Sequence, residues 1–422
     1  MALATDLNVL DINQNISYEH GITQVDGIHH YPYNLTNVGY NDEIRITINQ
    51  KNVYTLPCNA QLHITAKLKD YDSTKFSLDA YGIQQAFTEA SYYINGEPIE
   101  IVTNVGLTNL VRSTLLITQE NTQILYDTGF TGDNPYKNFM KIDTAKKTAE
   151  LRAIIDLKYF FSFCADYQKP LIYSIQEIVF KRNSHDKNIF QTKVQTLAST
   201  DSYPTLEIEK ISIRMPYIKV EPEFQNKYLQ YVKNNTPITI QTHEWKLYEN
   251  VNVPQTTDLR WNIKTINEND RISHVIVFFQ TNKRNDYTKT MFAFDHCNVR
   301  DLKVYIGQQY FPRDTYNTDF ENNDFALHYN DFKYFEYQYN KFKKLMPESI
   351  TTVSMEIYKS TLPLFVIPVM NREVEIKNGV ADLLVQVQTR SPIPANTIMY
   401  AIVVSQRVFV QTLQDDKIES IM

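Results

Sequence analysis

The sequence predicts an all-β protein, folded as two consecutive eight-stranded antiparallel jelly rolls with short inserted helices. Three observations carry that expectation. Apolar and polar residues alternate with period two along much of the 422-residue chain, the pattern of half-buried strands. Composition leans toward sheet formers, with 29 Tyr and 22 Phe but only 10 Gly, where average usage of roughly 7 % would give about three times as many glycines. One short phrase also occurs twice. Tyr93-Ile94-Asn95-Gly96 returns as Tyr305-Ile306-Gly307, an offset of 305 − 93 = 212 residues, half of the chain.

A chain of this length suits two domains of about 200 residues rather than one core. Along it, Ile44, Ile46 and Ile48 alternate with Arg45, Thr47 and Asn49. Leu62, Ile64, Ala66 and Leu68 then alternate with polar neighbours. A short link with Pro57 separates them, so they are expected to be two antiparallel strands. Further strands are expected at 149–161, 172–181 and 205–215, the last changing phase between Ile208 and Ile211 as a bulge would. The second half restarts in the same style. Leu259, Trp261 and Ile263 alternate, SHVIVFFQT (273–281) is a continuously apolar strand, and Leu383, Val385 and Val387 alternate. A long strand follows over 399–410.

Helices are few. Leu107, Leu110, Val111, Thr114 and Leu115 form a helical stripe after the first repeated phrase, and Phe325, Tyr329, Phe332 and Tyr339 form another after the second, with Phe335 nearby. A third helix is expected near 222–233, opened by Pro222 and Glu223. Each half therefore runs from strand to Gly turn to loop to helix, and many short, evenly spaced strands mean a sandwich or barrel. The expected divisions are an N-terminal arm at 1–20, a first roll at 21–218, a linker helix at 219–236 and a second roll at 237–422. One long β sandwich is the competing architecture.

Catalytic signals are weak. There is no GxSxG, no Gly-rich phosphate loop and no HExxH. His29-His30 is the one adjacent histidine pair, and a wet loop explains it better than a metal. In Asp295-His296-Cys297, His296 could serve Cys297 as a base only if the two met, and strand neighbours point to opposite faces. Asp70 with Asp72, and Asp415 with Asp416, read as ordinary surface acids. DTGFTGDNP (127–135) lacks calcium-loop spacing and opens a polar stretch through 148 that reads as a long surface loop, expected to project outward. No catalytic, cofactor-binding or metal-binding residue is therefore assigned, and no cofactor.

A formal net charge of −6, with no long basic run, argues against sequence-specific nucleic-acid binding. Cys58, Cys164 and Cys297 are odd in number and far apart, which suits a reducing compartment. No signal peptide is expected, and LPLFVIPV (362–369) is too short to cross a bilayer. The sequons at Asn15, Asn34 and Asn234 are then chance matches.

The order of segments resembles the double jelly-roll major capsid proteins of Polinton-like and adintovirus-like DNA viruses and elements. The matching stretches are LRAIIDLKYFFSFCADYQKPLIYSIQEIVFKRN (151–183), ISIRMPYIKVEPEFQNKYLQYV (211–232), FDHCNVRDLKVYIGQQYFPRDTYNTDFENNDF (294–325) and NREVEIKNGVADLLVQVQTRSPIPANTIMYAIVVSQRVFV (371–410), the last with its turn at Gly379 and its bend at Pro392 and Pro394. Residues 1–20 and 127–148 match nothing in the pattern. The resemblance implies a non-enzymatic virion protein. It would self-assemble as homotrimeric, pseudo-hexagonal capsomers that tile an icosahedral shell beside penton and minor capsid proteins. It would be made in the host cytoplasm, with the nucleus as one possible place of assembly. A carbohydrate-binding or carbohydrate-active protein on the same scaffold is the alternative, with Trp245 and Trp261 as its only tryptophans. A penton or minor shell protein is the third reading, which two matched halves disfavour.

Overall fold

Sixteen strands build the framework of the computed structural model. In the first half they are β1 (Ile22–His30), β2 (Glu43–Ile48), β3 (Gln61–Lys69), β4 (Phe87–Ile94), β5 (Glu97–Thr103), β6 (Thr148–Asp156), β7 (Gln176–Arg182) and β8 (Thr205–Val220). In the second they are β9 (Ile238–Asn250), β10 (Asp258–Lys264), β11 (Arg271–Thr281), β12 (Val299–Ile306), β13 (Gln309–Phe311), β14 (Phe365–Pro368), β15 (Asp382–Thr389) and β16 (Thr397–Thr412). The structure describes residues 22–33, 38–49, 54–79, 81–116, 140–194, 202–234, 236–264, 271–307, 309–339, 353–369, 382–412 and 417–420. The arm at 1–20, Asn15, Asn34, residues 127–139, Gly379 and Asp415-Asp416 lie outside them.

The two halves have the same topology. In the first, hydrogen bonding orders one sheet β1-β8-β3-β6 and the other β2-β7-β4-β5; in the second the orders are β9-β16-β11-β14 and β10-β15-β12-β13. Subtracting eight from each label of the second half reproduces the first. All pairings are antiparallel, so each half is an eight-stranded jelly roll, as expected.

The repeated phrase is one device used twice. Ile94 pairs with Glu97 across the two-residue turn Asn95-Gly96, and Ile306, just before Gly307, pairs with Gln309. Asn95 (φ 52°), Gly96 (φ 87°) and Gly307 (φ 58°) are all left-handed. Such turns match the right-handed twist of the strands they join and favour Asn and Gly. After each turn a helix is inserted at the same topological place: α1 (Val105–Leu116) after β5 and, beyond a loop, α3 (Ala326–Tyr339) after β13. Between the halves, α2 (Pro222–Lys233) begins on Pro222 with Glu223 in its first turn, where both suit the positive helix end.

Several expectations need correction. β2 and β3 do not pair with each other: β2 pairs with β7, and β3 with β8 and β6. Their alternating isoleucines and leucines face one another across the core from opposite sheets. Alternation marks a buried face without saying which strand lies alongside. The strand expected at 149–161 stops at Asp156, where a 3-10 turn over Leu157–Tyr159 takes over. The strand at 172–181 is two pieces, Leu171–Ile172 and β7, separated by Tyr173 at φ 50°. The last strand of the first half runs on to Val220, and its register shifts between Ile208 and Lys210, where the phase change predicted a bulge. Residues 140–148 are not loop throughout, since Met140–Asp143 pairs with β6. Nor are His29 and His30 in a loop; both belong to β1.

Each roll has its own core, but the cores exchange parts. Leu107, Leu110, Val111 and Leu115 of α1 join the apolar cluster of the second roll, and Ile240 and Phe409 of the second half join that of the first. The helical stripe read from the sequence is therefore buried against the other half of the molecule.

Candidate functional site: the seam between the rolls

Where the rolls meet, β5, α1 and a short helix at Ser162–Asp166 from the first half pack on β9 of the second, and α1 packs on α3. Polar groups cross this seam. Asn104 Nδ2 donates to Glu249 Oε1 at 2.7 Å, and Asp166 Oδ2 accepts from the His243 backbone N–H and from its ring Nδ1, both at 2.9 Å. Elsewhere Asp79 accepts from Thr290 Oγ1 at 2.7 Å and from the Met291 N–H at 2.8 Å, and Gln411 Nε2 donates to Ser174 Oγ at 2.8 Å.

Behind the seam lies a buried charge pair. Glu100 on β5 and Arg112 on α1 are 3.9 Å apart, with side chains 1 % and 4 % exposed. Glu100 accepts the backbone N–H groups of Ser162 at 3.0 Å and Phe163 at 2.8 Å. Arg112 donates to Ser162 Oγ at 3.1 Å and the Lys158 carbonyl at 3.0 Å. Burial pushes the Glu100 carboxyl up to about 7, against the opposing pull of Arg112 and the two N–H donors. Next to them the Tyr339 ring lies 4.1 Å from His243, and the Trp245 indole N–H donates to Tyr339 Oη at 3.4 Å. Each group is held by structural partners and sunk between two cores. The cluster ties β5, α1 and the Ser162–Asp166 helix to each other and to the second roll, and its Glu100–Arg112 pair is closed to solvent.

Glu100, Arg112, Asp166 and His243 escaped sequence reading. The usable signal was Arg112, a lone cation inside the apolar run of α1; Glu100 gave none, because Ile99-Glu100-Ile101 reads as an ordinary alternation with Glu100 outward, whereas Glu100 is buried and Ile101 exposed.

The residues weighed as chemical candidates are scattered. His29 Nδ1 sits 3.3 Å from Ser212 Oγ, and its ring meets His63 edge-on at 4.8 Å, while His30 Nε2 lies 2.8 Å from Tyr217 Oη. The two histidines thus serve different partners. Asp295-His296-Cys297 is a turn rather than a strand, with Cys297 at φ 44°. Asp295 accepts from the Thr281 N–H and Lys283 Nζ, and His296 stacks on Phe320 and takes the Asn298 N–H at Nδ1. Burial pushes the Cys297 thiol up to about 12, the opposite of an activated nucleophile. Asp72 caps its own turn through Thr74. Trp245 is fully buried and Trp261 is half-buried against the same core. Among the described residues, no group of three or more His, Cys, Asp or Glu could hold a metal ion, and no helix is long and apolar enough to cross a membrane.

The family model of the double jelly roll-like domain matches residues 76–409. This chain belongs to that family. Its double jelly roll is similar to solved structures along nearly its whole length. The Sputnik virophage structure from cryo-EM superposes with a TM-score of 0.62 at 11 % identity, over 98 % of this chain and 91 % of that one. The Faustovirus major capsid protein gives 0.57 at 9 % identity, over 96 % and 94 %, and the mavirus major capsid protein 0.56 at 12 % identity, over 97 % and 92 %. At such identities the likeness is one of fold. A comparison with curated proteins finds no match.

Proposed function

We propose that this double jelly-roll chain is a major capsid protein, of the Polinton-like and adintovirus-like kind its segments resemble, assembling as homotrimers that tile an icosahedral virion shell. The observation that carries the reading is the repetition of one strand order through both halves, shared in fold with the mavirus and Faustovirus major capsid proteins. Two like rolls per chain, taken three times around an axis, give six similar edges and so a nearly hexagonal tile. A cyclic ring of this kind closes through heterologous contacts. The rolls are taken as 21–218 and 237–422, joined by a linker at 219–236 that contains α2. The chain acts as a wall rather than a catalyst: at the seam Glu100 and Arg112, and Asp166 and His243, are taken up by each other and by neighbouring backbone groups. Penton and minor capsid proteins are its further partners in the virion, and its net charge of −6 leaves genome condensation to others.

The carbohydrate-binding alternative loses support, because Trp245 is fully buried and cannot stack on a sugar. Light scattering on the purified protein, with micrographs of concentrated samples, tests the proposal. A trimer that forms hexagonal plates or shells is expected. A monomer at every concentration overturns it.

A further inference from the structure

β1 is held to the molecule along one side only. Among the described residues it pairs with β8 alone, and of its nine residues only Asp26 and His30 are not exposed. It ends on the adjacent histidine pair of the sequence, and a third histidine, His63 on β3, reaches the same place. The His29 and His63 rings are 4.8 Å apart and nearly perpendicular. Between their strands stands Ser212 of β8, which pairs with His63 and lies 3.3 Å from His29 Nδ1. His30 turns to Tyr217 instead, with 2.8 Å between Nε2 and Oη.

Cations crowd these rings. Arg214 lies opposite His29 in the ladder, and its guanidinium lies over Gly27, in the space that a Cβ would take. Lys210 sits over the Tyr31 ring, and Lys219 lies opposite Gln24. The neighbouring acids are already paired. Asp26 accepts from Gln24 Nε2 at 2.8 Å and sits 3.6 Å from Lys219 Nζ. Asp156 on β6, beyond β3, accepts from Gln61 Nε2 at 3.0 Å and pairs with Lys158 at 3.1 Å. On β2, which also packs on β1, Glu43 is paired with Arg45.

Protons on this cluster are therefore poorly accommodated while β1 is in place. His63 Nε2 is closed to solvent without a hydrogen-bond partner. Burial first, and His29 second, hold His30 and His63 below the usual imidazole range, and Arg214 adds to the effect at His63. A strand lifted off β8 returns the rings to water, where they take up protons more readily. The contribution of both groups is intact above 6.5 and falls with acidification below it.

We propose that β1 is an acid-released strand. When the cluster of His29, His30 and His63 takes up protons, repulsion within it and from Arg214 separates β1 from β8, while the rest of the sheet stays paired. Release bares the side of β8 that carries the partners of β1, from Ile213 to Val220. An uncovered strand edge of this kind is ready to pair with another strand. The device is built into one chain and does not depend on the capsomer reading.

Hydrogen exchange of the full chain, corrected for the intrinsic effect of pH, tests this at about pH 7 and about pH 5, on either side of imidazole titration. Peptides covering Ile22–His30 should lose protection at the lower pH, while those covering Gln61–Lys69 keep theirs. His30→Gln/His63→Gln keeps polar side chains but removes the two half-buried imidazoles, and its β1 should stay protected at both values. Arg214→Gln leaves every histidine in place and should move the loss to lower pH. Protection of β1 that persists in acid overturns the proposal, as does a loss shared equally by β3, which is global unfolding. Either variant behaving as the wild type overturns it too.

Discussion

Asp166 holds His243 twice, accepting from its backbone N–H and from its ring Nδ1, both at 2.9 Å. One carboxylate from the first roll thereby fixes the strand β9 that opens the second. Asp166→Ala leaves a partly buried backbone donor without its acceptor, and a loss of about 1–3 kcal/mol follows. Asp166→Asn keeps an acceptor for the backbone and should lose less. Urea unfolding of the two variants checks the order; equal losses would remove the special role of the backbone bond.

A second carboxylate works entirely inside the first roll. Asp186 pairs with Arg182, both nearly unexposed, and also accepts from Tyr40 Oη and the Leu206 N–H at 2.8 Å each. Asp186→Ala strands a buried guanidinium and should destabilise by about 3–5 kcal/mol. Adding Arg182→Met should recover part of that loss. A double variant no more stable than the single one would show that charge burial is not the cause.

Two buried groups give stability opposite slopes with pH. Burial raises Glu100 to about 7 from 4.5, so the folded chain holds that proton longer than the unfolded one. Between those values its contribution falls as pH rises, by about 1.4 kcal/mol per unit. Burial lowers His328 to about 3 from 6.5, so the unfolded chain takes up that proton first. Its contribution is intact above 6.5 and falls with acidification below it, with a similar slope. From pH 4.5 to 6.5 the two oppose each other in the wild type. His328→Phe should therefore gain on the wild type as pH drops from 6.5, and Glu100→Gln should gain as pH rises toward 7. Denaturation curves at pH 5, 6 and 7 measure both differences; differences that do not vary with pH would refute the assignment.

The repeated turns should respond alike. Gly96 and Gly307 have positive φ and open space around a built Cβ, so alanine at either brings backbone strain alone, about 1 kcal/mol. Gly82 differs: a Cβ there would meet the Ile189 carbonyl oxygen at 2.7 Å. Gly82→Ala should therefore lose more, because two backbone segments must separate. Thermal unfolding of the three variants ranks them.

Local pattern carried much of the fold. The isoleucines of β2, the bulge near Lys210, the Asn95-Gly96 and Gly307 turns and the start of α2 at Pro222 were all legible, since each depends on a few neighbouring residues. Partner choice was not. β2 and β3 look like a hairpin in sequence but stand in opposite sheets, and the link between them contains a short strand at Tyr54–Thr55 that pairs with Leu171–Ile172 and β8. The seam was least legible. Glu100 interrupts no visible periodicity, and Asp166 and His243 are 77 residues apart.

The sequence by itself determined that the chain is β-rich, that it says one thing twice, and which faces of its strands and helices are apolar. The tertiary structure decided which buried face meets which, and that α1 completes the core of the other roll. It also decided that β1 and one stripe of α3 stay exposed where β9 and α1 are covered. The physical reason is that side-chain periodicity reports only how a segment divides itself between oil and water. Backbone hydrogen bonds and apolar contacts are satisfied equally well by many partners, and only the closed three-dimensional arrangement selects one.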